Sequence, residues 1–259
     1  MIKVTAENYY SKEVSQEYMS ASQYKAFLSC EAAALAEIRG EYERPVTTAL
    51  LIGSFVDAHF EGTLDLFVAK HPEIFKRDGT LKSEYEHAEY IISRIEAQPE
   101  MMYYFDGEKQ KIFTGEIAGV PFRCKVDVFK EAEAIVDGKI MKDFEDVYVP
   151  EQGRLPWYEA WGYDKQGAIY QELVRQNSSQ VLPFILNAAT KEPEPDLDLL
   201  QLNQAMLDFE LEKVEENAPR FDGIKKGILE PVRCEKCAYC RRTKKVRLKM
   251  QEVLCDGSE

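Results

Sequence analysis

Residues 120–129 alternate apolar and polar side chains, and after a short charged turn the chain resumes as Ala134-Ile135-Val136 running into Asp137-Gly138-Lys139. Strict alternation is the mark of a strand with one buried face, so this stretch reads as two extended segments joined by a turn. No other part of the chain constrains its fold as tightly. Side chains on a strand alternate faces, so Asp137 and Lys139 project the same way, and Arg123, Lys125 and Asp127 share one face of theirs. If the two strands pair, two carboxylates and an ammonium meet at one spot. That set suits phosphodiester cutting: carboxylates hold Mg²⁺, the ion polarises phosphate and activates water, and the lysine orients or deprotonates that water. The rival reading of these residues alone is a solvated strand.

Ahead of the strand pair, Ser20 or Ser22 caps an expected helix. Tyr24, Phe27, Leu28, Ala32, Leu35 and Ile38 form its apolar stripe and Gly40 stops it, which puts Cys30 in mid-helix. A second helix is expected over about 47–60 and a third over about 83–97, with 61–80 irregular. The segment 110–117 reads as a strand entering a two-residue turn at Ala118-Gly119. Glu116 then falls opposite Pro121, about 20 Å from Asp127, and is set aside as a ligand. Beyond Pro150 one long helix is expected over about 157–176, with Gln166 and Tyr170 four apart on one face. Trp157, Tyr158 and Trp161 read as its core contacts, base stacking being the alternative. Strands at 180–186 and 196–201 and a solvated helix over about 204–226 complete the pattern. His71 and His87 read as surface residues.

Six cysteines stand at 30, 124, 234, 237, 240 and 255. Cys234, Cys237 and Cys240 form C-x2-C-x2-C, three thiolates for one metal or cluster, which wants a fourth. No apolar run reaches membrane-spanning length and the first residues lack the apolar core of a signal peptide, so a cytoplasmic protein is expected, where clustered cysteines suggest metal before disulfide. The net charge of −13 opposes a broad, charge-driven DNA surface. Two basic clusters run against that average: Arg123/Lys125/Lys139/Lys142 and residues 241–247.

The D-x9-D-x-K spacing of Asp127, Asp137 and Lys139 resembles the PD-(D/E)XK nuclease superfamily, within the branch holding RecE-type phage exonucleases, lambda-type exonuclease and the RecB nuclease domain. The segment G-S-F-V-D-A-H-F resembles the helix of RecB-like nucleases whose histidine binds metal, which implies His59 as a ligand. Gln166 and Tyr170 resemble the Q-x-x-x-Y that follows D-x-K in those enzymes and lies against the active site. An early cysteine with a late triplet resembles the iron–sulfur staple of AddB-type and CRISPR-associated RecB-like nucleases. This implies Cys30, Cys234, Cys237 and Cys240 around a structural [4Fe–4S] cluster, or Zn²⁺ in the same thiolates, pinning the tail to the first helices. Gly138 and Ile140 depart from the family's usual neighbours of the lysine, although the Gly138 carbonyl can still bind metal. A further acidic ligand from an earlier helix is implied, with Glu86, Glu89 and Glu96 as candidates.

The resulting expectation is an α/β protein with a central mixed β-sheet flanked by helices. It is one nuclease domain over 1–259: a helical part to 100, the sheet over 101–201, and a helix and cysteine tail over 202–259. The resemblance implies an exonuclease that uses Mg²⁺ or Mn²⁺ to resect linear DNA ends in phage-type recombination. It also implies a single-strand annealing partner and a closed ring. Asp127, Asp137, Gly138 and His59 would hold the metal, Lys139 would position water, and Gln166 and Tyr170 would shape the substrate side. Two other classes compete: a non-catalytic DNA-binding or recombination-partner module with a metal-stapled tail, and a cysteine-based redox sensor.

Overall fold

The computed structural model describes residues 1–246; Arg247 of the second basic cluster and Cys255 lie outside the described residues. The alternating stretch forms the spine of a sheet. β1 (Glu108–Ile117) and β2 (Val120–Lys130) pair antiparallel, with Ile117 opposite Val120 and Glu116 opposite Pro121. Ala118 and Gly119 both have positive φ, 50° and 74°, as a tight two-residue hairpin twisted to match its strands requires. β3 (Ala134–Met141) pairs antiparallel with β2, and β6 (Phe184–Thr190) runs parallel to β3, with β7 (Leu197–Gln201) on the outer edge. The order is β1-β2-β3-β6-β7, a mixed sheet. A short hairpin, β4 (Val147–Val149) and β5 (Gly153–Leu155), stands apart from it within the crossover from β3 to β6.

Parity on β3 decides what each face meets. Ile135 packs into one apolar layer and Val136 into the other. On the first face lie α2 (Ala21–Ser29), α3 (Glu31–Arg39), α9 (Tyr163–Ser178) and α10 (Gln204–Lys225), whose Tyr24, Phe27, Ile169, Leu173 and Phe221 form the core there. On the second lie α4 (Thr48–Glu61), α6 (Ser83–Glu96) and α7 (Pro99–Phe105), with Phe55, Ile91, Ile95 and Phe105. This is the α/β arrangement expected from the sequence.

Four local expectations give way. The first long helix is two, because Cys30 is extended at φ −168°, ψ 106°. There the Val232 carbonyl accepts from Ala32 N–H, a bond that an unbroken helix would have made itself, and the Val232 amide donates to the Glu31 carboxylate. The helix over 157–176 also breaks, at Gly162 with φ 68°, separating a one-turn α8 (Trp157–Ala160) from α9. Residues 61–80 hold α5 (Leu64–Lys70) and a 3-10 turn, and Pro99 begins α7 just past the third expected helix, where no further helix was expected. Ser11 caps α1 (Lys12–Glu17), which sequence periodicity had not signalled.

Candidate active site

The cleft begins where β2 loses its neighbour. Pairing with β3 covers Val128 to Lys130, while Met19 bridges Phe122 on the same side of β2 and bonds to Pro121 and Arg123. Between those two attachments Asp127 fills the gap with its side chain. Its Oδ2 accepts the Gly138 amide at 3.0 Å, a bond that a strand backbone would ordinarily take. Its Oδ1 accepts from Gln110 Nε2 at 3.3 Å. Gln110 holds φ at 54°, a conformation that costs a non-glycine residue about 1 kcal/mol or more and interrupts the β1–β2 pairing opposite Asp127 without changing its register. Backbone strain and strand divergence thus sit together beside one carboxylate.

From β3, Asp137 is almost fully buried and its Oδ2 lies against Lys139 Nζ. Lys139 also donates to the Gly138 carbonyl at 3.0 Å. Gln166 on α9 donates from Nε2 to Asp137 Oδ1 at 2.7 Å, which fixes the carboxylate's rotation. Its reach depends on the next residue. A Cβ at Gly167 would come within 2.7 Å of Phe184, so only glycine lets α9 sit this close to the sheet. Tyr170, one turn on, lines the same cleft, and burial first, then Asp137, hold its phenol far from ionising. The structure therefore brings Asp127, Asp137, Lys139, Gln166 and Tyr170 to one place, a cleft of about 1010 Å³ that opens to solvent, with Gly138 bonded to Asp127 beside it.

One acidic residue was missed. Asp57 on α4 faces the cleft across from Gly138, whose added Cβ would stand 3.8 Å from Asp57 Oδ1. Glu61, one turn later, lines the same wall. A signal existed: Asp57 and Glu61 are four apart on an otherwise apolar helix, and like charges at that spacing repel unless something answers them. The three glutamates named from the sequence serve elsewhere or lie on the surface. Glu86 pairs with Lys76, Glu96 with His59, and Glu89 is exposed. His59 itself is not at the cleft. Two residues on a helix turn the side chain by about 200° from Asp57, and its Nε2 bonds to Glu96 Oε1 at 2.8 Å. Of the basic cluster, Lys125 and Lys139 line the cleft and Arg123 is buried against Tyr9 and Ser15, while Lys142 pairs with Asp143 on the surface.

The electrostatics describe a site short of positive charge. Asp57 opens onto the cleft, yet desolvation by the walls around it, then Asp127, push it up to about 8. Burial and Asp127 also raise Asp137, against the pull of Lys139. Burial works to lower Lys139, but Asp137 and Asp127 outweigh it and keep the ammonium charged. Lys25 on α2 approaches from the other side; burial, then Lys139, bring it down to about 8. Three carboxylates thus crowd one another around the Lys139 ammonium. Hard oxygen donors in that excess are the set a Mg²⁺ or Mn²⁺ ion takes, so Asp57, Asp127, Asp137 and the Gly138 carbonyl fit such an ion by their chemistry. No imidazole joins them.

Trp157 is core, whereas Trp161 is exposed at the α8–α9 break. The cysteines form a separate group. Cys30, Cys234, Cys237 and Cys240 gather with their sulfurs within 4.8 Å of one another, while Cys124 is buried in the sheet core. Among the described residues no helix is long and apolar enough to cross a membrane.

Comparison with known proteins shows the family and the fold. A family model described as "PDDEXK-like domain of unknown function (DUF3799)" matches residues 20–243. A crystal structure from Eubacterium rectale, described as "Putative exonuclease", is similar with a TM-score of 0.92 and 42% identity, over 97% of this chain and 97% of that one. No curated protein matches the chain.

Proposed function

The chain belongs to the PDDEXK-like family, and from that premise we propose that it is a divalent-metal-dependent deoxyribonuclease that degrades linear DNA from its ends. The observation that carries this reading is the convergence of Asp57, Asp127 and Asp137 on Lys139 in one open cleft. Three carboxylates packed this way destabilise the metal-free protein, and a fold has no structural use for them. When bound, Mg²⁺ or Mn²⁺ would supply charge neutralisation at the scissile phosphate and a lowered pKa for the attacking water.

The chain's own residues do the rest. Lys139, held charged between Asp137 and the Gly138 carbonyl, places a donor where a nucleophilic water or a phosphate oxygen would sit. Gln166 holds one oxygen of Asp137 while the other meets Lys139, so the carboxylate keeps its orientation in the cleft. Tyr170 stays a neutral phenol and so can donate to a phosphate oxygen. Lys125, with Tyr10 beside it at 4.9 Å from ammonium to ring centroid, offers a charge and an exposed ring to a strand leaving the cleft. Local lysines thereby offset the overall acidity.

Attack from an end draws support from the description of the similar Eubacterium rectale protein. A role in phage-type recombination, an annealing partner and a closed ring rest on the motif resemblance alone. The test is a linear duplex labelled at either end, beside a closed circle, with Mg²⁺, Mn²⁺ or chelator. Metal-dependent loss of label from the linear DNA with the circle intact supports the reading. Equal cutting of the circle would replace it with an endonuclease, and DNA binding without cutting under any metal would favour the non-catalytic module. Native mass in the same buffer reports whether a ring forms.

A further inference from the structure

The cysteine group carries an inference independent of the nuclease reading. Four thiols can hold a cluster or a single ion, and the two differ in how far apart the sulfurs must stand. In a tetrahedral zinc site each Zn–S bond is about 2.3 Å, which sets every S···S edge at about 3.8 Å. A cubane cluster binds each thiolate to a different iron, which drives the four sulfurs well beyond that edge. Here Cys30 and Cys240 Sγ are 3.6 Å apart and Cys234 and Cys240 Sγ 4.0 Å apart. All four lie within 4.8 Å of one another. That is the size of a single-ion tetrahedron.

The backbone adds a second observation. Cys237 N–H donates to Cys234 Sγ, and Cys240 N–H to Cys237 Sγ, both at 3.3 Å. In both cases the amide three residues on points at the sulfur, which favours the thiolate form that a metal needs. Glu235 takes φ 58° to let the chain turn back between the first two cysteines. Cys30 and Cys240 are buried, and Cys234 and Cys237 half-buried, so the site is closed rather than open to a reactant.

We propose that Cys30, Cys234, Cys237 and Cys240 bind one structural Zn²⁺, the alternative to the iron–sulfur cluster that the family resemblance implied. Its purpose follows from where Cys30 stands. The residue is the break between α2 and α3, next to Glu31, which accepts from Val232 N–H and from Arg220. The ion therefore ties the tail to the end of α2, whose Lys25 donates to the Trp161 carbonyl at the α8–α9 break.

The test begins with full-length protein made in iron-replete cells and purified without oxygen. The expected result is about one zinc per chain, no acid-labile sulfide and no visible absorption. Cys237→Ser and Cys30→Ser should each lose most of that zinc and lower Tm, whereas Asp127→Asn should retain it, which separates this ion from any in the cleft. Should the cysteine variants fail to fold, exchange of Co²⁺ into the wild type should give the intense visible bands of a tetrahedral thiolate site. Iron with equivalent sulfide and a broad absorption band would overturn the proposal. So would metal-free protein with four titratable thiols or two disulfides, or a weak octahedral cobalt spectrum.

Discussion

Gly138 donates its backbone amide to Asp127 Oδ2 at 3.0 Å, so a carboxylate takes the position that a paired strand would fill. The same side chain that ends the β2–β3 ladder opens the cleft, which couples the fold to the site at a single bond. Asp127 is thereby held from one side by Gly138 and from the other by Gln110.

Asp57→Asn separates stability from function. Removing one of three crowded carboxylates should raise Tm of the chelated protein, because Asp57 is ionised only at a cost. The same change should remove most of the Tm gain on adding Mn²⁺ and cut nuclease turnover by about 100-fold or more. Calorimetry with and without Mn²⁺, beside an end-labelled digest, reads all three.

Lys139→Ala should lower turnover by about 100-fold to 1,000-fold while leaving DNA affinity within a few-fold. The ammonium contributes to the reacting centre and little to the grip on the duplex. It also opposes the upward push on Asp137, so its loss should weaken metal binding at neutral pH. Gel shift in Ca²⁺ and steady-state cutting in Mg²⁺ distinguish the two effects.

The pH dependence has a definite sign. Asp57 is raised from 3.8 to about 8 in the folded, metal-free protein, so the folded state holds more protons than the unfolded chain across that window. This contribution to stability is complete below about pH 4 and is lost as pH rises through about 8. Metal binding needs the ionised carboxylates and runs the other way. The difference in Tm between metal-loaded and chelated protein should therefore grow from pH 6 to pH 8.5, and Asp57→Asn should flatten it.

Gln166→Leu keeps the volume but loses the bond to Asp137 Oδ1, and it should cost about 10-fold to 100-fold in activity or metal affinity. His59→Ala, in contrast, should leave turnover within about two-fold, since His59 bonds to Glu96 on the far side of α4. A large loss in His59→Ala would place the imaginary line of ligands on the wrong face of that helix.

Much of this was legible in the sequence because it depends on local period. Alternation gave the β1–β2 hairpin and its register, and spacing of two along β3 put Asp137 and Lys139 on one side. Spacing of four put Gln166 and Tyr170 together toward the cleft. The tertiary structure alone decided the rest. Periodicity is blind to which face of α4 meets the sheet, so it could not choose Asp57 over His59, two residues apart and pointing in nearly opposite directions. Nor could it show the break at Cys30, where the Val232 carbonyl, two hundred residues later in the chain, takes the Ala32 amide that a continuous helix would have bonded itself. Side-chain period is set by each residue's immediate neighbours, whereas convergence is set by distant segments that meet only once the apolar faces are buried.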